Sequence, residues 1–177
     1  ISMKRIMLFV LMLAFNITIN AQESTIKYAK KVETLDSTIE TLYAVISGEK
    51  GETRDWELFK YLFMQNAKLI PTGKNLEGFF VARYMSPSDY ISTSGSWLEE
   101  HGFFEKEIHR TVNTFGNMTH VFSTYEAYHS EADTAPFMRG IKSIQLLFDG
   151  HRWWVVNIYW SQESKENPIP TEYLPKN

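Results

Sequence analysis

At Phe103 the hydrophobic period of this chain changes from 3.6 to 2, and that change limits the folds open to it more than any other feature. Phe103 to Thr114 and Met118 to His129 alternate apolar and polar residues, as do Phe137 to Phe148 and His151 to Gln162. A period of two is the mark of half-buried strands. Phe115-Gly116-Asn117 and Asp149-Gly150 supply the turns, so the four runs read as two long hairpins. Upstream the spacing is helical. Ile39, Leu42, Tyr43 and Ile46 fall on one helical face, after a capping box at Ser37-Thr38-Ile39-Glu40. Gly48 is expected to stop that helix. A second helix is expected from near Thr53, with Trp56, Phe59, Leu62 and Phe63 on one side. Ala67 to Pro71 reads as a short strand that Pro71 ends. Ser86-Pro87-Ser88-Asp89 opens a third helix, which Gly95 is expected to break into two pieces or an irregular lid. Helices followed by antiparallel hairpins make an α+β protein, with three N-terminal helices packed on a curved, mostly antiparallel sheet.

Composition narrows the class. Of 177 residues, 15% are aromatic and 22% charged, which gives ample apolar surface for a packed core and argues against disorder. There is no cysteine, so disulfides, thiol nucleophiles, Cys-ligated zinc and iron–sulfur clusters are excluded, as is an acylated-cysteine anchor. The net charge of −3 and scattered basic residues give no nucleic-acid surface. No cofactor or metal motif occurs, so neither is expected.

Lys4 and Arg5, then the apolar run from Ile6 to Phe15, then Ala21 before Gln22, have the layout of a secretory signal, with Met3 as its start. The apolar run is too short to span a bilayer, which takes about 20 residues. The expected organisation is a signal peptide at 1–21, a polar lead-in at 22–34, one domain at 35–163 and a proline-containing tail at 164–177. The mature chain is expected in the periplasm or outside the cell, without membrane attachment.

Glu105, Glu107 and His109 alternate along one strand, so a regular strand projects all three from one face. A carboxylate beside an imidazole suits general-base chemistry, with Glu107 orienting His109. A single metal is disfavoured, because residues i and i+4 of a strand lie about 13 Å apart. The plain alternative is a solvated polar row. A three-residue turn at Phe115-Gly116-Asn117 would set Glu107 opposite Ser123, His109 opposite Val121 and Glu105 opposite Tyr125. A two- or four-residue turn would bring His120 and Thr124 there instead. In the second hairpin a two-residue Asp149-Gly150 turn would set Gln145 opposite Trp154, Ser143 opposite Val156 and Arg139 against Trp160. That face, with Ile158, would make a pocket wall carrying a few polar anchors; its plain alternative is core.

The sequence resembles the nuclear transport factor 2-like, or SnoaL-like, family. The resemblance rests on Tyr43-Ala44-Val45-Ile46-Ser47-Gly48, Arg54-Asp55-Trp56-Glu57-Leu58-Phe59 and Phe104-Glu105-Lys106-Glu107-Ile108-His109-Arg110. It rests also on His120-Val121-Phe122-Ser123-Thr124-Tyr125-Glu126 and Asp149-Gly150-His151-Arg152-Trp153-Trp154, with Trp160 beyond. It covers Leu35 to Glu163. It implies a cone-shaped sheet around a pocket closed by helices, and dimers through the outer sheet face. The family holds isomerases, dehydratases, cyclases and hydrolases beside non-catalytic binding domains, so the fold alone names no reaction. The catalytic aspartates of its enzymes, and an Asp-Arg-Asp set, find no matching positions here. The expectation is a small, partly apolar ligand held by His109, Ser123, Tyr125, Arg139, Ser143, Gln145, Trp154 and Trp160, in a homodimer. The alternative is an isomerase, dehydratase or cyclase with His109 as base, aided by Glu107 and Tyr125.

Expressed in a Gram-negative host with its own N-terminus, the protein is expected in the periplasm beginning at Gln22. Mass spectrometry of the periplasmic fraction checks this, and an intact N-terminus in the cytoplasm would refute it.

Overall fold

The computed structural model describes residues 27–176; the expected signal peptide lies outside them. Within the expected polar lead-in, Tyr28 and Val32 are core residues, 4% and 1% exposed. Packing therefore starts ahead of the helix that the capping box was expected to open.

That helix, α1, spans Leu35–Ala44. Its cap is Thr34 rather than Ser37. The Thr34 hydroxyl accepts from the Ser37 backbone N–H at 3.0 Å, and the Ser37 hydroxyl accepts from the Thr34 backbone N–H at 3.1 Å. The reciprocal cap is present, shifted three residues upstream, with Ser37 in the place that Glu40 was expected to take. Ile39, Leu42, Tyr43 and Ile46 are all buried, as their spacing requires. The helix ends before Gly48, which instead exchanges backbone hydrogen bonds with Phe103. Arg54 explains that geometry. Its buried guanidinium donates to the carbonyls of Ile46, Gly48 and Leu98 at 3.1, 2.7 and 3.1 Å, stitching the connector to the third helix.

Helix α2 spans Trp56–Leu62 and is capped by Asp55, which accepts from the Leu58 N–H at 2.9 Å. Phe63 ends the helix and opens β1, Phe63–Lys74, which runs straight through Pro71. Pro71 is tolerated because it has no N–H to lose on the β6 side. Its carbonyl faces outward and accepts from Arg83 at 3.1 Å, and the missing donor points the same way, toward the short strand β2, Phe80–Ala82. The sequence pattern did not reveal β2. Helix α3, Pro87–His101, begins at the expected Ser86 cap but is unbroken. A Cβ on Gly95 would lie 3.2 Å from the Trp56 ring, so this glycine lets α2 and α3 approach.

The remaining strands are β3 (Phe104–Phe115), β4 (Met118–Tyr128), β5 (Met138–Phe148) and β6 (Trp153–Gln162). Among the described residues one six-stranded sheet has the order β2-β1-β6-β5-β4-β3, in which β1–β6 is the parallel pair. The α+β class and the mostly antiparallel sheet are as expected. The helices are not all N-terminal, since α3 follows two strands.

Turn lengths and bulges decide which residues share a face. Phe115 pairs with Met118, so the β3–β4 turn has two residues, with Gly116 at φ +58° in its first position. That is the shorter turn, and it sets His109 opposite Thr124. A bulge between Glu107 and His109 then shifts the pairing, so that Glu107 faces Tyr125 and Glu105 faces Ala127. Phe148 pairs with Trp153, so the β5–β6 turn has four residues rather than two. The Asp149 carboxylate holds it by accepting from the His151 and Arg152 N–H groups, both at 2.8 Å. A second bulge between Gln145 and Leu146 leaves Val156 as the extra residue of β6. Val155, Ile158 and Trp160 consequently face the same, concave side.

The helices cover the concave face, and the core lies between the two layers. The tail beyond Glu163 folds over the convex face. Tyr173 packs edge-on against Phe122 at 5.0 Å, and its carbonyl accepts from the Thr124 hydroxyl at 2.7 Å. Part of the surface expected to await a second subunit is therefore covered by the chain itself. Among the described residues, no helix is long and apolar enough to cross a membrane.

The cap position is testable. Thr34→Ala is expected to cost about 1 kcal/mol of stability, and Glu40→Ala under about 0.5 kcal/mol. Urea unfolding of the two variants checks the difference.

Candidate functional site

A cavity of about 210 Å³ lies between the concave face and the helices. Leu42 and Ile46 approach it from the α1 side, Phe59 from α2, and Tyr90, Ser94 and Trp97 from α3. The sheet contributes Glu105, Tyr125, Met138, Lys142, Ile158, Trp160 and Gln162. Its walls are mostly apolar, aliphatic and aromatic in about equal number, because the helical apolar stripes and the residues of β6 beyond its bulge, Ile158 and Trp160, converge there.

Two charges sit at its floor. Glu105 and Lys142 are each 7% exposed and form an ion pair. The ammonium lies 4.4 Å from the Tyr43 ring centroid and 5.0 Å from that of Tyr125, so two aromatic faces support its charge. A buried pair of this kind gives little net stability, because desolvation offsets the attraction, but loss of one partner leaves a stranded charge. Burial, then the nearby Glu105 charge, holds the phenols of Tyr43, Tyr90 and Tyr125 protonated far above the usual tyrosine range.

A second polar chain runs beside the first. The Tyr43 hydroxyl donates to Ser123 at 2.7 Å, and Ser123 donates to Glu107. Arg110 donates to Glu107 at 2.8 Å and to Asp36 at 2.7 Å. Each acid in this chain faces a donor, so it is a satisfied structural network. A Cβ on Gly140 would lie 2.6 Å from the Tyr125 hydroxyl and 2.4 Å from the Ser161 carbonyl. Only glycine lets the Tyr125 phenol cross β5.

Of the residues singled out in sequence, Glu105, Tyr125, Ile158 and Trp160 line the cavity. Ser123 lies on the same face, fully buried against Tyr43 and Glu107. Glu107 is on this face too, occupied by Ser123 and Arg110. His109 is not. The bulge after Glu107 turns it to the convex face beside Thr124, where its Nδ1 is buried without a partner among the described residues. It can neither be oriented by Glu107 nor act as a base in this cavity. Ser143 and Gln145 are also convex, bonded to His120 and to each other. Arg139 pairs with Glu163 at 2.7 Å, not with Trp160. Trp154 donates to Asp149 at 2.6 Å and stacks under Arg152 at 3.6 Å. That donation, with two backbone N–H groups, lowers the Asp149 carboxyl to about 2.

Sequence reasoning missed Lys142, Tyr90 and Ser94. Lys142 had a signal, since it alternates in phase with Ile144 and Leu146 on β5 and is thus a charge on an apolar face. Tyr90 and Ser94 had none beyond helical spacing.

No protein-family model matches the chain, and no curated protein matches it in sequence. Solved structures do match in shape. A protein of unknown function with a cystatin-like fold from Nostoc punctiforme has a TM-score of 0.56 at 9% identity, over 74% of this chain and 90% of that one. A protein of unknown function from Mycobacterium tuberculosis has a TM-score of 0.55 at 8% identity, over 77% and 80%. A nuclear transport factor 2-like protein of unknown function from Silicibacter pomeroyi has a TM-score of 0.50 at 17% identity, over 73% and 92%. The chain has the cone-shaped fold these proteins share.

Lys142→Met is expected to destabilise the protein by about 3–5 kcal/mol, by leaving Glu105 buried and unpaired. The double variant with Glu105→Gln should recover much of that loss. Denaturant unfolding of both checks the pair.

Proposed function

We propose that this chain is an exported domain that binds a small, partly apolar molecule in the cavity of its cone. The observation that carries the proposal is the cavity itself. Aromatic side chains from the helices and the sheet surround it, and a buried ion pair lies at its floor. Few convergent polar groups within an apolar wall is the usual make-up of a small-ligand site. With His109 on the convex face, no observation favours the isomerase, dehydratase or cyclase alternative.

The proposal includes a homodimer in the periplasm or outside the cell. Leu76, Phe79 and Phe80 on the β1–β2 hairpin, and Phe115 and Met118 at the β3–β4 turn, are exposed. A second copy covering them would remove an apolar surface that soluble monomers seldom keep. Light scattering giving a monomer mass at tens of micromolar would count against it.

In a thermal-shift screen of small, partly apolar molecules, at least one is expected to raise the melting temperature. Ser94→Phe, which fills the cavity from α3, should abolish that rise while keeping the fold by circular dichroism. If no compound stabilises the wild type, the space is a packing defect and the ligand reading falls.

A further inference from the structure

The polar groups around the cavity are unevenly matched, and the mismatch describes what would complement them. Among the described residues, the buried phenols of Tyr28 and Tyr43 and the half-buried one of Tyr128 each reach a partner oxygen. The hydroxyls of Tyr90 and Tyr125, two residues of the cavity lining, have no hydrogen-bond partner among the described residues. Lys142 commits one N–H to Glu105 and turns the ammonium toward two aromatic faces. An ammonium has three donors and no acceptor. The free acceptors on the lining are the second Glu105 oxygen, the Gln162 amide oxygen and the Ser94 hydroxyl oxygen, fewer than the N–H and O–H groups that Lys142, Gln162, Ser94, Tyr90 and Tyr125 present. Donors are therefore in excess. Both phenols remain protonated at any ordinary pH, since burial and Glu105 raise their pKa.

Charge excludes two ligand classes. An entering anion would meet Glu105, and an entering cation would meet Lys142. Each would also lose its hydration against an apolar wall. A neutral molecule meets neither cost, because the ion pair at the floor is already balanced.

Shape and size fix the rest. Tyr90 stacks nearly parallel on Phe59, with centroids 5.4 Å apart, and Trp97, Phe103 and Trp160 complete an aromatic wall. An engineered apolar cavity of about 150 Å³ takes one benzene. The 210 Å³ here therefore holds one or two rings, and any larger molecule would leave its remainder outside.

The geometry points to a neutral one- or two-ring aromatic ligand whose inner end carries a hydrogen-bond acceptor, a carbonyl oxygen, received by the hydroxyls of Tyr90 and Tyr125. This rests on the ligand-binding reading above and names the chemical class that the site would take.

Four compounds of nearly one shape test it by isothermal titration calorimetry: acetophenone, ethylbenzene, benzoate and benzylamine. The protein is the chain from Gln22, which contains every described residue. Acetophenone is expected to bind at least about tenfold tighter than ethylbenzene, the effect of one buried hydrogen bond. Benzoate and benzylammonium should bind more weakly than either. Tyr125→Phe and Tyr90→Phe should each shrink the preference for acetophenone at least about threefold and leave ethylbenzene unchanged. Equal binding of acetophenone and ethylbenzene would overturn the acceptor assignment while leaving an apolar ligand pocket. Tightest binding by either ion would overturn the charge argument. If none of the four binds, this ligand class is wrong, and the screen with Ser94→Phe decides separately whether the cavity binds anything.

Discussion

Side chains alternate along a strand without exception until a residue is added, and two such additions decide which residues line the cavity. The bulge after Glu107 in β3 and the extra Val156 in β6 each reverse the facing of everything beyond them. Below the β6 bulge, Val155 points into the core; above it, Ile158 and Trp160 do. Below the β3 bulge, Glu105 and Glu107 point into the cone, and beyond it Arg110 replaces His109 on that side. Bulges also bend a strand and increase its twist. The features that curve the sheet toward the helices are thus the same ones that select the residues lining the cavity.

The Glu105–Lys142 pair belongs to this arrangement. Neither charge would be tolerated alone under the helical layer, and their pairing across the concave face depends on the β3–β4–β5 register. Tyr43 from α1 and Tyr125 from β4 bracket the ammonium, so helix and sheet meet around one charge. Gly140 opens the space that the Tyr125 ring needs. The polar floor and the apolar walls come from different elements, and only their packing makes them one site.

The convex face shows the opposite solution. His120, Ser143 and Gln145 satisfy one another there, Arg139 is held by Glu163, and the tail closes over Phe122 and Thr124. Polar residues that in sequence look like ligand anchors are engaged in fastening the outer layer and its cover.

Much of the fold was legible in the sequence because it depends on local pattern. The helical stripe Ile39, Leu42, Tyr43 and Ile46, the Ser86 cap with Pro87, and the four alternating runs each encode their element within a few residues. The existence of the hairpins followed from Gly116 and from Asp149-Gly150. Their register did not, because a turn of two, three or four residues fits the same letters, and one residue of shift exchanges the two faces. The bulges were invisible for the same reason: an added residue has no signature until its neighbours pair across the sheet. β2 is three residues long and exposed, too short for any period. The sequence by itself therefore determined an α+β layer structure with Tyr125 and Trp160 on strands. Tertiary pairing alone decided that these two meet Glu105, Lys142 and Tyr90, and that His109 does not, since the face of a strand residue is set by its partner strand and not by its own neighbours.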